Sequence, residues 1–245
     1  MGQKIIPKLE DLKNDLKKLA DPKRAESSAW FFKTAPGQYG HGDVFLGVTV
    51  PNQRKVAKSY YGLELEQVEQ LMLSKEHEYR LVAVIILVEQ FKKASDTTKK
   101  QIYDFYLSHT QYINNWDIVD TSAGYIVGEY LWCKKDALKI LTKLAKSNFL
   151  WERRIAIIST LAFIMHGESE LTLEIAQILI SDDHDLIQKA VGWMLREVGK
   201  RVSLEDEERF LKHNNQYQTM PRTMLRYAIE RFDETKRQAY LKGII

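Results

Sequence analysis

Apolar residues return at intervals of three and four along nearly the whole chain. Leu9, Leu12, Leu16 and Leu19 open the pattern, and Leu81, Val84, Ile85, Val88 and Phe91 repeat it. This spacing places each set on one face of a helix turning every 3.6 residues, and strand-like alternation is nearly absent. The punctuation agrees. Asp21-Pro22 offers an N-cap followed by a first-turn proline, Pro51 opens another helix, and Ser203 with Asp206 three residues on forms a capping-box variant. About a dozen helical segments joined by short connections follow, the pattern of antiparallel helix pairs. The exception is Thr34 to Val50, where Gly37, Gly40, Gly42 and Gly47 exclude a stable helix.

Similar helices contain Ala83, Ala123, Ala156 and Ala190, spaced by 40, 33 and 34 residues. Small residues at equivalent positions let neighbouring helices approach closely, and this period is that of a helix-pair solenoid of the HEAT kind. The expected architecture is therefore all-α, one HEAT-like solenoid domain over residues 1–245. It would be a curved stack whose concave face is lined by one helix of each pair. Such a surface suits a long, regular partner, whether a DNA duplex, a peptide or another protein.

Composition narrows the class. Of 245 residues 44% are hydrophobic and 28% charged, the balance of a folded globular chain rather than a disordered one. Cys133 is the sole cysteine, which excludes an intrachain disulfide and a CxxC zinc site and suggests a reducing, cytoplasmic setting. No signal peptide is expected, because the N-terminus lacks an uninterrupted apolar stretch. The longest apolar runs, such as Leu81 to Val88, fall far short of the roughly 20 residues a membrane helix needs.

The net charge of +3 is unevenly placed. Residues 1–60 hold 11 Lys/Arg against 6 Asp/Glu, and residues 186–245 hold 12 against 8, so the ends carry +5 and +4 and the middle −6. Basic ends fit either ordinary solvated helix faces or a polyanionic partner.

Three segments could carry chemistry. In Asn114-Asn115-Trp116-Asp117-Ile118-Val119-Asp120, Trp116 and Asp120 stand four apart on one helix face, with an asparagine available as N-cap. Taken alone, the same residues fit a core indole and a carboxylate favoured by the helix dipole. Leu150-Trp151-Glu152-Arg153-Arg154 and Gly192-Trp193-Met194-Leu195-Arg196 follow. Arg154 lies 38 residues beyond Trp116, and Trp193 lies 39 beyond Arg154. These separations are about one repeat each, which allows the three to share a surface.

The chain here resembles the AlkD-type DNA alkylation repair glycosylases, a family with a HEAT-like helical solenoid fold. The resemblance covers most of the chain and rests on Pro36 to Pro51 (PGQYGHGDVFLGVTVP), Asn114 to Asp120 (NNWDIVD), Trp151 to Arg154 (WERR) and Lys189 to Glu197 (KAVGWMLRE). It implies a cleft walled by Trp116 and Trp193, with Asp120 as the carboxylate and Arg154, rather than Arg153, as its cationic neighbour. It also implies hydrolysis of the N-glycosidic bond of cationic purines such as 3-methyladenine and 7-methylguanine in duplex DNA, with no pocket enclosing the base. Lys189, Arg196, Lys200 and Arg201 beside Trp193, and Lys55 and Lys58 after the glycine-rich loop, are the candidate phosphate contacts.

That loop is no P-loop, since no Gly-Lys-Ser/Thr follows its glycines. The six histidines show no metal-ligand spacing, His41 reads as a surface residue, and neither metal nor cofactor is expected. A lyase step is not expected, because the motif supplies a carboxylate rather than an amine. The expected enzyme is a monomeric, monofunctional glycosylase acting in base excision repair. The alternative is a non-catalytic HEAT-repeat module that binds DNA or protein.

Overall fold

The computed structural model describes residues 8–245, and the regular elements among them are helices, with no strand. The all-α expectation holds. The chain divides into two compact units, one ending at Ser122 and the other spanning Ala123–Ile245.

The first unit holds α1 (Leu9–Lys17), α2 (Pro22–Phe31), α3 (Val50–Ala57), α4 (Leu65–Met72), α5 (His77–Lys93), α6 (Asp96–Ser108) and most of α7 (Trp116–Ala123). Its centre is α5, which packs against α3, α4 and α6. Every residue from His77 to Val88 on this helix is buried, so the apolar set at Leu81–Phe91 belongs to a core helix covered on all sides, not to a striped one. On α1 the stripe is real but shorter than its leucines: Leu9, Leu12 and Leu16 are buried, whereas Leu19 lies beyond the helix end and is exposed.

The second unit continues from α7 through a π-helical turn at Gly124–Gly128. It then runs through α8 (Glu129–Leu131), α9 (Ala137–Ala145), α10 (Leu150–Ser159), α11 (Leu161–Met165), α12 (Glu170–Ile178), α13 (Asp185–Arg201), α14 (Leu204–Lys212), α15 (Gln216–Thr219), α16 (Arg222–Ala228) and α17 (Glu234–Lys242). Here α13 is the hub, packed on α10, α12, α14 and α16. Its approach to α16 requires Gly192, because a Cβ at that position would lie 2.4 Å from the Met224 carbonyl oxygen.

The alanines that marked the repeat fall on α5, α7, α10 and α13, and all four are buried. Small side chains at these positions leave room for the neighbouring helix. The start signals are also realised. Asp21 accepts from the amides of Lys23 and Arg24 ahead of Pro22, and Ser203 accepts from the amide of Asp206. No helix among the described residues is long and apolar enough to cross a membrane.

The glycine-rich stretch from Thr34 is a loop up to the start of α3, held by a parallel bridge between Val44 and Glu76. Gly47 sits at φ +81° with its Cα pressed on the start of α2, where a Cβ would lie 2.1 Å from the Asp21 oxygen. The amides of Leu46, Gly47 and Val48 converge on the buried carboxylate of Glu78 at 2.9, 2.8 and 3.2 Å.

Candidate functional site

In the first unit, Asn115 starts α7. Its side chain is fully buried, and its Oδ1 accepts from the adjacent Trp116 amide at 2.8 Å, one residue short of the N2 or N3 amide that a capping side chain takes. Trp116 and Asp120 follow four residues apart, both partly exposed, with Ile118 and Val119 buried between them. One face of the helix therefore offers an indole and a carboxylate while the other is packed. Behind Asp120, the buried Tyr106 hydroxyl pairs with Ser122 at 2.8 Å. Burial, with the Asp120 charge adding to it, holds that phenol well above the ordinary tyrosine range.

An aromatic group surrounds Trp116. Phe32 stacks on it at 5.4 Å between centroids, and Phe31 meets it edge-on at 6.0 Å. Phe32 also stacks with Phe45 and tilts against His77 at 4.8 Å. Trp30 and Phe31, at the end of α2, are 84% and 56% exposed and carry aromatic surface outward from this group.

Beneath the aromatics lies a buried polar network that the sequence pattern did not reveal. His77 Nε2 is 2.8 Å from Asp117 Oδ2, and His77 Nδ1 is 3.2 Å from Asp43 Oδ2. Arg80 donates to the other Asp43 oxygen at 2.6 Å and to the Ser74 and Lys75 carbonyls. Asn115 Nδ2 donates to Asp43 at 3.4 Å. Burial alone would lower the His77 pKa, yet the charge and hydrogen bond of Asp117, with Asp43, push it up to about 9. Burial likewise opposes ionisation of Asp43, but His77 and Arg80 hold its carboxyl below the usual carboxylate range. The available signal was the run His77-Glu78-Tyr79-Arg80 leading straight into an apolar helix. A helix buried on all sides buries its polar first turn too.

In the second unit, Arg153 and Arg154 have separate surroundings. Arg153 pairs with Asp182 at 2.7 Å and donates to the Ser147 and Asn148 carbonyls, which ties α10 to the segment before α13. Arg154 is buried, and its guanidinium donates to the Leu186 carbonyl at 2.5 Å. Trp151, from the same motif, is a core residue. Trp193 is partly exposed on α13 and lines a cavity of about 270 Å³ with Tyr125, Leu161, Met165, Glu197 and Arg201.

The six candidate phosphate contacts divide into two groups. Lys189 pairs with Asp185 at 2.9 Å, Arg201 with Glu197 at 2.6 Å, and Arg196 with Glu230. The Arg201, Lys200 and Arg196 charges hold the Glu197 carboxyl below its ordinary range against the effect of burial. Lys55, Lys58 and Lys200 are exposed, with no ion pair among the described residues. His41 is exposed, as its loop position suggested.

The helical repeats thus define an all-α repeat protein carrying an indole–carboxylate helix. A model of the family described as DNA alkylation repair enzyme matches residues 12–232, and the chain belongs to that family. Among solved structures, one titled a predicted DNA alkylation repair enzyme from Enterococcus faecalis is similar at TM-score 0.67 and 18% identity, covering 88% of this chain and 97% of that one. AlkD2 from Streptococcus mutans is similar at TM-score 0.50 and 16% identity, covering 92% and 97%. At these identities the likeness is one of fold. No curated protein matches the sequence.

Proposed function

We propose that this protein is a monofunctional DNA glycosylase that hydrolyses the N-glycosidic bond of cationic N3- or N7-alkylated purines in duplex DNA. The observation that carries this reading is the pairing of Trp116 and Asp120 on the open face of α7 in a DNA alkylation repair family member. Alkylation at these positions puts positive charge on the base and weakens its bond to deoxyribose, so little acid catalysis is needed.

What remains is to stabilise an oxocarbenium-like sugar and direct water to C1′. A fixed carboxylate does this. At about 4 Å from the developing charge it contributes roughly 4 kcal/mol at an effective dielectric near 20, on the order of a thousandfold in rate. That suffices for a charged leaving group and fails for a neutral base.

In this reading Asp120 is the catalytic carboxylate and Trp116 presents its ring face to the charge growing on the sugar, while Trp193 and Arg154 are assigned as aromatic and cationic site residues on the family resemblance alone. The chain would work as one monomeric domain, with no base-enclosing pocket. The electron pair of the broken bond leaves on the alkylated base, and water adds at C1′ to leave an abasic site.

The test is release of free 7-methylguanine or 3-methyladenine from duplex DNA by wild type and Asp120→Asn. Release by wild type, lost in the variant with duplex binding retained, is the expected result. A wild type that binds duplex but releases neither base would make the chain a non-catalytic DNA-binding module.

A further inference from the structure

Both ring nitrogens of His77 face carboxylate oxygens, Nδ1 that of Asp43 at 3.2 Å and Nε2 that of Asp117 at 2.8 Å. An ionised carboxylate can only accept, so with Asp43 and Asp117 both ionised each ring nitrogen donates and the ring is an imidazolium. With Arg80 on Asp43, two cations and two anions form a closed set, buried under Phe32 and Phe45. A buried set of this kind is stable only when complete, since one missing partner leaves a charge unmatched.

The network's connections give its purpose. Asp117 is the residue after Trp116, and its other oxygen accepts from the Ile118 amide at 2.9 Å. Asp43 holds the side-chain amide of Asn115, whose oxygen accepts from the Trp116 backbone amide. His77 itself is fixed, because its own amide donates to the Val44 carbonyl at 2.8 Å. The first turn of α7 is therefore pinned on both sides of Trp116 to the loop and to α5. A small rotation of this turn would move the indole and, one turn on, Asp120 together.

We propose that His77, as the imidazolium bridging Asp43 and Asp117, is a positioning residue that sets the orientation of the helix turn presenting Trp116 and Asp120. Its consequence for catalysis rests on the glycosylase reading; its consequence for Trp116 does not. The groups facing the ring are Asp43 from the loop, Asp117 from α7 and Arg80 from α5, with the stacked pair Phe32 and Phe45 packed against it. Loss of one His77 proton would leave one of the two carboxylates facing a bare nitrogen lone pair and release the turn.

The test combines nitrogen NMR of the histidine rings in the folded protein with single-turnover base release from duplex carrying 7-methylguanine. Wild type should hold both His77 protons at pH 7.5, and the Trp116 indole N–H signal should shift with the His77 titration. His77→Gln should slow release by about 10- to 100-fold with duplex affinity unchanged, since a small misplacement acts on rate.

Asp117→Asn guards against a variant that does not fold. Its amide can donate to Nε2 of a neutral ring while Nδ1–H still serves Asp43, so it should keep the Trp116 signal and lower the His77 midpoint by at least about one pH unit. Because the neutral ring still holds the turn in this variant, release should no longer fall with His77 deprotonation as it does in wild type. A neutral His77 at pH 7.5, a Trp116 signal indifferent to its titration, or full-rate release by folded His77→Gln would each overturn the proposal. If wild type releases no base, the glycosylase reading falls, and the Trp116 signal alone decides whether His77 positions the turn.

Discussion

The ring of Phe32 lies nearly parallel to the indole of Trp116, 23° between planes and 5.4 Å between centroids. Stacked pairs of this kind are worth about 0.5–1.5 kcal/mol beyond the area they bury. Phe32→Leu should therefore lower stability by about 1 kcal/mol, shift the indole emission to the red and slow base release, with duplex affinity kept. Unchanged emission would show that Phe32 does not hold Trp116.

Glu207 offers a pH-dependent prediction away from that site. Its side chain is buried against Gly199, with Oε1 lacking a hydrogen-bond partner, and burial, helped by the Glu208 charge, pushes its pKa up to about 8. A folded-state value above the unfolded one means that stability is fully present below about pH 4.5 and is lost as pH rises towards 8. Glu207→Gln should raise stability at pH 7.5 by on the order of 1–3 kcal/mol and change little at pH 4.5. Denaturant unfolding at the two pH values measures this, and an equal gain at both would refute it.

The two adjacent arginines of α10 should separate in their effects. Arg153→Ala removes the ion pair to Asp182 and two carbonyl contacts, and should destabilise the second unit by about 1–3 kcal/mol while the folded fraction keeps its rate. Arg154→Gln should act on base release. Thermal melts with single-turnover kinetics on both variants decide the assignment, and reversed effects would transfer the cationic role to Arg153.

Salt dependence should sort the basic residues. Each phosphate contact contributes about 0.9 to the slope of log affinity against log salt on duplex DNA. Replacing Lys55, Lys58 or Lys200 by Gln should reduce that slope by about 0.9 wherever the lysine contacts a phosphate. Lys189, Arg196 and Arg201, already matched to carboxylates, should contribute less. A larger loss at Arg201 than at Lys200 would mean that the Glu197 pair opens on binding.

Close packing gives a further prediction. Gly192→Ala places a Cβ 2.4 Å from a backbone oxygen of α16, which cannot yield as a flexible side chain would. Overpacking of this kind costs typically about 1–3 kcal/mol. Because Trp193 is the next residue, the variant should also disturb its environment. A melting point equal to wild type would show that α13 and α16 can part without cost.

Helix identity was legible because period and punctuation agreed. Asp21-Pro22 and Ser203 mark starts that the structure realises through side-chain caps, and the repeating alanines mark close approaches that are realised as buried positions. The polar centre under Trp116 was not legible, because its members lie at positions 43, 77, 80 and 117 with no local motif joining them. Only the fold brings them together. The division of the basic residues was equally hidden, since whether a lysine faces solvent or a carboxylate such as Asp185 depends on the rotation of its helix. Leu19 shows the limit of periodicity itself: the pattern runs past the point where the backbone stops being helical.

Glu78 gives the glycine-rich loop a further property. Three consecutive amides of that loop already hold an anion, and the anion is covalently part of the protein. In loops that cradle phosphate, such amides wait for the ligand and spend conformational entropy when it arrives. Here that entropy is surrendered once, at folding, so the free protein meets its partner with the loop, Asp43 and the support of Trp116 already rigid. Association should then proceed as a rigid-body encounter, at a rate set by charge steering and orientation rather than by loop closure.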